Sequence, residues 1–399
     1  MWTGEVAYHS RADGARRLFP RRAAVAIIAV LLSLASRSAV AGAIDDRVQA
    51  HVEAAVAGGL QADDFHHVFL AFAWRRTFAN WTLVQTNLDR LAAVQGADPL
   101  MIDELRLTRA RIEVENGHTA AARELFRTMG GMSSWWFGGP VPLEELEDFG
   151  DVALLPGDDA EWRPVSGTDP MGWVRLSGLA WPPRRQMAYL ATTIVSDHEQ
   201  PVAVRLGAAQ VARAWLNGVE VLSTEQPLER SEDQVAGGGW LRKGNNSLIV
   251  AVASEDERWW LRVRVTQPDG RALKGAQELG APPVVEPAVN RTPPKIRDLR
   301  SELELAVSEG APGSSMALAA YLVAHQPDPV GAGSARTACQ TARAESPGEA
   351  RLLEWIVTTE PRVAQELLSQ AVEADPDLLW ARLDLADWYG DRGLMEEAR

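Results

Sequence analysis

"AWLNGVEV", residues 214–221, is built of two short strand-forming runs that turn back at Asn217-Gly218, and this decides how the middle of the chain is organised. A two-residue type I′ turn needs positive φ at both central positions, which Asn and Gly accept most readily. The neighbouring runs "MAYLATTIV", "PVAVRL", "NSLIVAV" and "WWLRVRV" are short, apolar and separated by Gly, Pro, Asn and Asp clusters. In the last of them Trp259, Leu261, Val263 and Val265 face one way while Arg262 and Arg264 face the other, the pattern of a half-buried strand. Such strands, with no helical runs between them, predict a β-sandwich over 133–270.

Either side of this block the apolar period changes to that of helices. In 44–132 the stretch "LRLTRARIEVENGHTAAARELFRTMG" sets Ala110, Gly117, Ala122 and Phe126 at the spacing of a tetratricopeptide (TPR) repeat, where small residues let two helices approach. In 298–399 Ala335, Cys339, Ala342 and Pro347 recur as Ala364, Leu368, Ala371 and Pro376, and a further unit opens with Ala386 and Tyr389 and turns at Gly393. That last unit reaches Arg399 with only a short second helix, so the array is expected to continue beyond it. Residues 271–297, rich in Pro and Gly without a period, read as a linker over the sandwich surface.

The first 43 residues are of another kind. Arg16, Arg17, Arg21 and Arg22 precede the apolar run 23–35, and small residues follow with Ala39-x-Ala41 or Ala41-x-Ala43 as cleavage frames. This predicts a signal peptide, export to a bacterial periplasm or medium, and membrane contact only through that sequence. Its removal takes away six Arg, one Glu and one Asp, so the formal charge of −14 becomes about −18. A body this acidic repels phosphate backbones, which argues against nucleic-acid binding. The single Cys339 cannot form an internal disulfide.

"WWFGGP", "EWRPV", "AYLATTIV", "AWLNGVEV", Arg230 with Asp233 and Gln234, "LRKGNNSLIVAV" and "WWLRVRVTQPDG" together resemble the galactose-binding-like jelly rolls of exported bacterial TPR proteins. The resemblance implies a multidomain chain, α plus all-β, with TPR-like repeats flanking a jelly-roll sandwich. The same domain order is similar to the front half of proteins ending in a transglutaminase-like cysteine hydrolase, whose catalytic domain would lie downstream.

Nine of the fifteen tryptophans lie between Trp135 and Trp260. Trp173, Trp181, Trp215 and Trp240 offer aromatic faces of the sort sugars stack on, or they fill the core and the seams of the sandwich. For Trp215, which shares a strand face with Val211 and Arg213, packing is the favoured expectation. Asp158, Asp159 and Glu161 in "PGDDAEW" are oxygen ligands suited to Ca²⁺, although a solvated acidic loop is the plainer expectation. His66 and His67 are adjacent on a helical stretch and point about 100° apart, so they suit a satisfied surface better than one metal. Cys339 has no His beside it in sequence and is expected to be a buried structural thiol. No cofactor motif and no nucleophile frame is found.

The expectation is a non-catalytic exported scaffold that binds a protein or peptide partner through its TPR face. A carbohydrate-binding module taking a neutral glycan is the alternative.

Overall fold

The computed structural model describes residues 42–73, 81–143, 161–224, 228, 230–284, 291–325 and 335–393. Residues 1–41 of the region read as a signal peptide, and Asp158 and Asp159, lie outside these. Among the described residues no helix is long and apolar enough to cross a membrane.

Among the described residues five helices precede the sheets: α1 (42–58), α2 (Phe65–Ala73), α3 (Trp81–Ala92), α4 (Pro99–Glu115) and α5 (Thr119–Thr128). Six described helices follow the sheets: α6 (Leu299–Ser308), α7 (Ser314–His325), α8 (Ala335–Ala342), α9 (Pro347–Ile356), α10 (Pro361–Ala374) and α11 (Leu379–Gly390). Their starts are written in the sequence. Asp98 accepts from the Leu100 amide at 2.8 Å with Pro99 at the first helical position, and Asp298 accepts from Ser301 at 3.0 Å. Pro347 and Pro361 likewise sit in the first turns of α9 and α10. Ala335, Cys339 and Ala342 on α8, and Ala364, Leu368 and Ala371 on α10, are all buried, and from α6 to α11 each helix packs on the next.

The two helical segments are not separate bodies. Ile44, Val48 and Val52 of α1 and Phe65 and Val68 of α2 share one hydrophobic core with Tyr321 of α7, Leu353 of α9 and Trp380 of α11, and α2 packs directly on α7. Arg47 of α1 ties the same joint, reaching Glu349 at 3.0 Å and Asp375 at 2.9 Å. The local sequence carries no trace of this closure, because the partners are some 300 residues apart.

Between the helices lie two antiparallel sheets. One runs β2 (Arg163–Pro164), β1 (Trp136–Pro142), β4 (Gln186–Ser196), β9 (Gly244–Ser254), β6 (Val211–Leu216), β7 (Val219–Ser223), with β11 (Ala276–Glu278) also pairing β4. The other runs β3 (Val174–Arg175), β10 (Trp260–Thr266), β5 (Gln200–Ala209), β8 (Val235–Leu241). They enclose a common core of Leu190, Val204, Leu206, Leu248, Val250, Trp259, Leu261 and Val263. On β9, Ile249, Ala251 and Ala253 point to the opposite face and are buried as well, against Met187, Tyr189 and Trp215. That explains the unbroken apolar run "SLIVAVA": a strand covered on both faces shows no alternation.

Two expectations need correction. Residues 271–297 are not only linker, since β11 lies within them and joins the larger sheet by pairing with Ser196, Val195 and Ile194. Glu278 of β11 accepts from the Ser133 and Ser134 amides at 2.9 and 2.8 Å, locking this segment to the start of the sandwich. The wet face of β10 is also buried: Arg262 is 1% and Arg264 4% exposed, because helices cover that face. Arg264 donates to Asp103 of α4 at 2.9 Å and to Asp233 at 2.8 Å, and Arg262 donates to Asp233 at 3.2 Å.

Candidate functional site

The four tryptophans grouped by sequence occupy four different environments. Trp215 is 6% exposed on the outer face of the larger sheet, with Tyr189 and Ile249. Trp173 is buried between sandwich and helices, clustered with Leu107, Ala110 and Ala122 and with the Arg230 guanidinium 4.8 Å from its ring centroid. Trp181 is 86% exposed in the turn before β4. Trp240, half-buried on the edge strand β8, lines an open cavity.

That cavity, about 200 Å³, lies where the β6–β7 hairpin, the end of β8 and the segment 291–293 meet. Asn217 and Gly218 have φ of 52° and 77°, and Leu216 pairs with Val219 across them, which is the geometry a two-residue hairpin demands. Asn217 does more than turn the chain. Its side chain donates to the Trp240 carbonyl at 3.2 Å and to Asn246 Oδ1 at 2.8 Å, and accepts from the Ser247 amide at 3.1 Å. Asn246 in turn donates to the Arg242 and Gly244 carbonyls at 2.9 Å. The two asparagines thereby tie together two chain reversals, the β6–β7 hairpin and the β8–β9 turn, at one end of the sandwich.

Three glycines precede Trp240 for a steric reason. A Cβ on Gly237 would fall 1.8 Å from the Val221 carbonyl oxygen of β7, and one on Gly239 would fall 2.8 Å from the Leu216 side chain of β6, so the hairpin crowds β8 at these positions. Gly238 faces Pro294 in the same way, at 2.6 Å from its carbonyl oxygen.

Trp240 is held in place by its surroundings. Its Nε1 donates to the Thr292 carbonyl at 3.0 Å, and the Arg291 guanidinium stands 5.5 Å from its ring centroid. Arg291 pairs with Glu199, and Glu220 on the hairpin pairs with Arg213. The cavity therefore combines an apolar floor, from Leu216, Val219, Val221 and Leu241, with one oriented indole and a rim on which both carboxylates already have guanidinium partners. Glu199, Arg291 and Asn246 were not singled out by the sequence; only the turn cluster "GNN" hinted at Asn246.

The most charged interior of the molecule is a seam rather than a site. Arg111 of α4 pairs with Glu232 at 2.7 Å, and His325 of α7 lies 3.1 Å from Glu104 and 3.2 Å from the Glu232 carbonyl. Burial opposes the charge of Asp233, but Arg264 and Arg262 outweigh it and hold the carboxyl down at about 2. Burial likewise opposes the charge on His325, and Glu104 more than reverses it, raising the imidazole above its ordinary value. The void beside Asp103, Arg205 and Tyr321 is only about 20 Å³, room for one water.

The remaining sequence candidates separate cleanly. Glu161 is exposed, and among the described residues no group of three or more His, Cys, Asp or Glu is placed to hold a metal ion. Cys339 is fully buried and burial pushes its thiol far above the usual range. His66 and His67 are half-buried rather than on the open surface, because His67 meets His51 of α1.

No family model and no curated protein matches the chain. Among solved structures it is similar to the β-glucosidase from Kluyveromyces marxianus, in a selenomethionine-labelled form and in complex with glucose. Each match has 14% identity, covers 34% of this chain and 16% of that enzyme, and gives TM-scores of 0.24 and 0.23 respectively. A likeness of that size fixes neither fold family nor activity.

Proposed function

We propose that this chain is a non-catalytic binding protein whose ligand site is the cavity beside Trp240, and that the ligand is a terminal unit of a neutral glycan. The observation that carries this reading is the oriented Trp240 ring at the edge of an open, apolar-floored cavity with polar groups around its rim. Sugar rings present an apolar face to an indole and hydroxyls to carboxylates and guanidinium groups at the edge. Neutrality follows from the rim, where Glu199 and Glu220 are already paired with arginines, and from a net charge of −14 that disfavours anions. At about 200 Å³ the cavity falls below the roughly 300–1,000 Å³ of drug-sized sites, so it accommodates one sugar unit rather than a long chain.

The accompanying fold proposal is a galactose-binding-like jelly roll carried by TPR-like helices in an exported protein. It is supported by two antiparallel sheets around one core, by the stacking of α6 to α11, and by the basic, apolar and small residues in succession over 1–43. A second reading has the helices take a protein or peptide partner. It is favoured by α11, where Leu383 and Leu385 are only partly buried and Trp388 and Tyr389 pack edge to face toward its end.

A neutral-glycan array probed with the full chain and with Trp240→Ala tests the proposal. Binding lost in a variant that still unfolds cooperatively, with a smaller stability loss than Trp215→Ala, supports it. Equal binding by both proteins, or binding by neither, overturns it.

A further inference from the structure

At the joint between the first helices and the last, three imidazoles meet. Nδ1 of His51 on α1 and Nδ1 of His67 on α2 are 3.1 Å apart, and the rings of His66 and His67 are 3.8 Å apart between centroids. Behind His51, its Nε2 faces Glu349 Oε1 of α9 at 3.3 Å, and its ring stacks on Trp380 of α11 at 6.0 Å. Two Nδ1 atoms at this distance share one hydrogen bond only when one carries a proton and the other a lone pair. When both rings are cationic both Nδ1 atoms carry protons, and the contact becomes two donors and two like charges facing each other.

We infer that the His51–His67 contact is an acid-operated joint, closed with a single proton between the two Nδ1 atoms and opened, separating α2 from α1, when both rings become cationic.

The charges around the joint decide how many protons it tolerates. Helix α1 supplies Arg47, the approach to α2 supplies Asp63 and Asp64, α9 supplies Glu349 with Glu345 just before it, and Asp375 comes from the turn after α10. Asp64 is engaged in capping, accepting from the Gln61 amide at 2.8 Å, and Asp63 offers only its carbonyl, 3.0 Å from His66 Nδ1. Arg47 already satisfies one charge of the Glu349–Asp375 pair, so one imidazolium is balanced there and a second or third is not. Burial, then the neighbouring imidazoles, hold His67 down at about 4, and burial also lowers His66. For bases depressed in this way the folded state binds fewer protons than the unfolded chain. The stability they confer is present above about 6.5 and is lost as pH falls toward about 4.

Hydrogen exchange on the full chain tests the joint, with rates corrected for the intrinsic effect of pH. Between pH 7 and pH 4.5 the protection of 61–73 should fall about tenfold or more relative to that of β9, a value discounted for the partial exposure of His67. In His67→Phe, which keeps a ring but takes no proton, that relative loss should disappear, whereas His118→Gln, altering an exposed histidine elsewhere, should retain it. Equal loss in the His67→Phe and parent chains, or no loss in the parent, overturns the inference. Should His67→Phe fail to fold, the ¹⁵N imidazole shifts of the parent decide: a second protonation with a midpoint well below that of a free histidine supports the joint, and one near 6.5 refutes it.

Discussion

Arg264 Nη1 lies 2.9 Å from Asp103 Oδ2, an ion pair that joins β10 to α4 across 161 positions of the chain, with neither side chain more than 5% exposed. Around it Asp233, Arg262 and the Met129 carbonyl complete a buried network that fastens the sandwich to the helices. Replacing Arg264 by Met removes the cation and leaves two carboxylates buried without it. The expected cost is about 3–5 kcal/mol in urea unfolding, and Asp103→Leu in the same chain should return part of it. The two carboxylates of the network respond to acid differently, since burial raises Asp103 while the arginines hold Asp233 down. Because Asp233 is held below its unfolded value, its contribution is present above about 3.9 and is lost as pH falls through about 2.

The two tryptophans of the β6–β8 region should behave oppositely. Trp215 is 6% exposed among Tyr189, Ile249 and Ala251, so Trp215→Ala should cost about 3–5 kcal/mol. Trp240 is half-buried at the rim of its cavity, and Trp240→Ala should cost less than half as much while removing ligand. Chemical denaturation of both variants, alongside glycan binding, separates the two roles; an equal stability loss in both would count against the site.

The hairpin tolerates little change. Gly218→Val places a β-branched residue at φ 77°, at an expected cost of about 1 kcal/mol or more. Asn217→Ala adds the loss of bonds to Trp240, Asn246 and Ser247 and should exceed it, at about 2–3 kcal/mol. Thermal melts of the two variants, with Gly244→Ala as an open-site comparison at positive φ, check the ranking.

Cys339, packed on α8 beneath its neighbours, should resist alkylation in the folded chain. Burial raises its pKa, so the thiolate is scarce and sheltered. Iodoacetamide labelling should follow the urea unfolding curve, and rapid labelling in buffer would contradict the packing described.

Much of this architecture was legible because it is local. Alternating and continuous apolar runs marked the strands, and Asn217-Gly218 marked its turn. What stayed hidden is made by contacts between distant segments. Arg262 and Arg264 alternate with core residues as a solvated face would, and only the packing of α4 against the sheet shows that the face is dry. The four tryptophans could be counted but not sorted, since exposure of Trp181 and burial of Trp173 depend on which helices lie over each strand end. The meeting of His51 with His67 was out of reach for the same reason: adjacent histidines on α2 say nothing of a third from α1.

The central claim, that ligand enters the cavity beside Trp240, is tested most directly by hydrogen exchange of the full chain with and without a neutral oligosaccharide selected on the array. The account predicts added protection confined to 216–221, 238–242 and 291–293, absent in Trp240→Ala. Protection appearing instead on α9–α11, with the cavity unchanged, would contradict it.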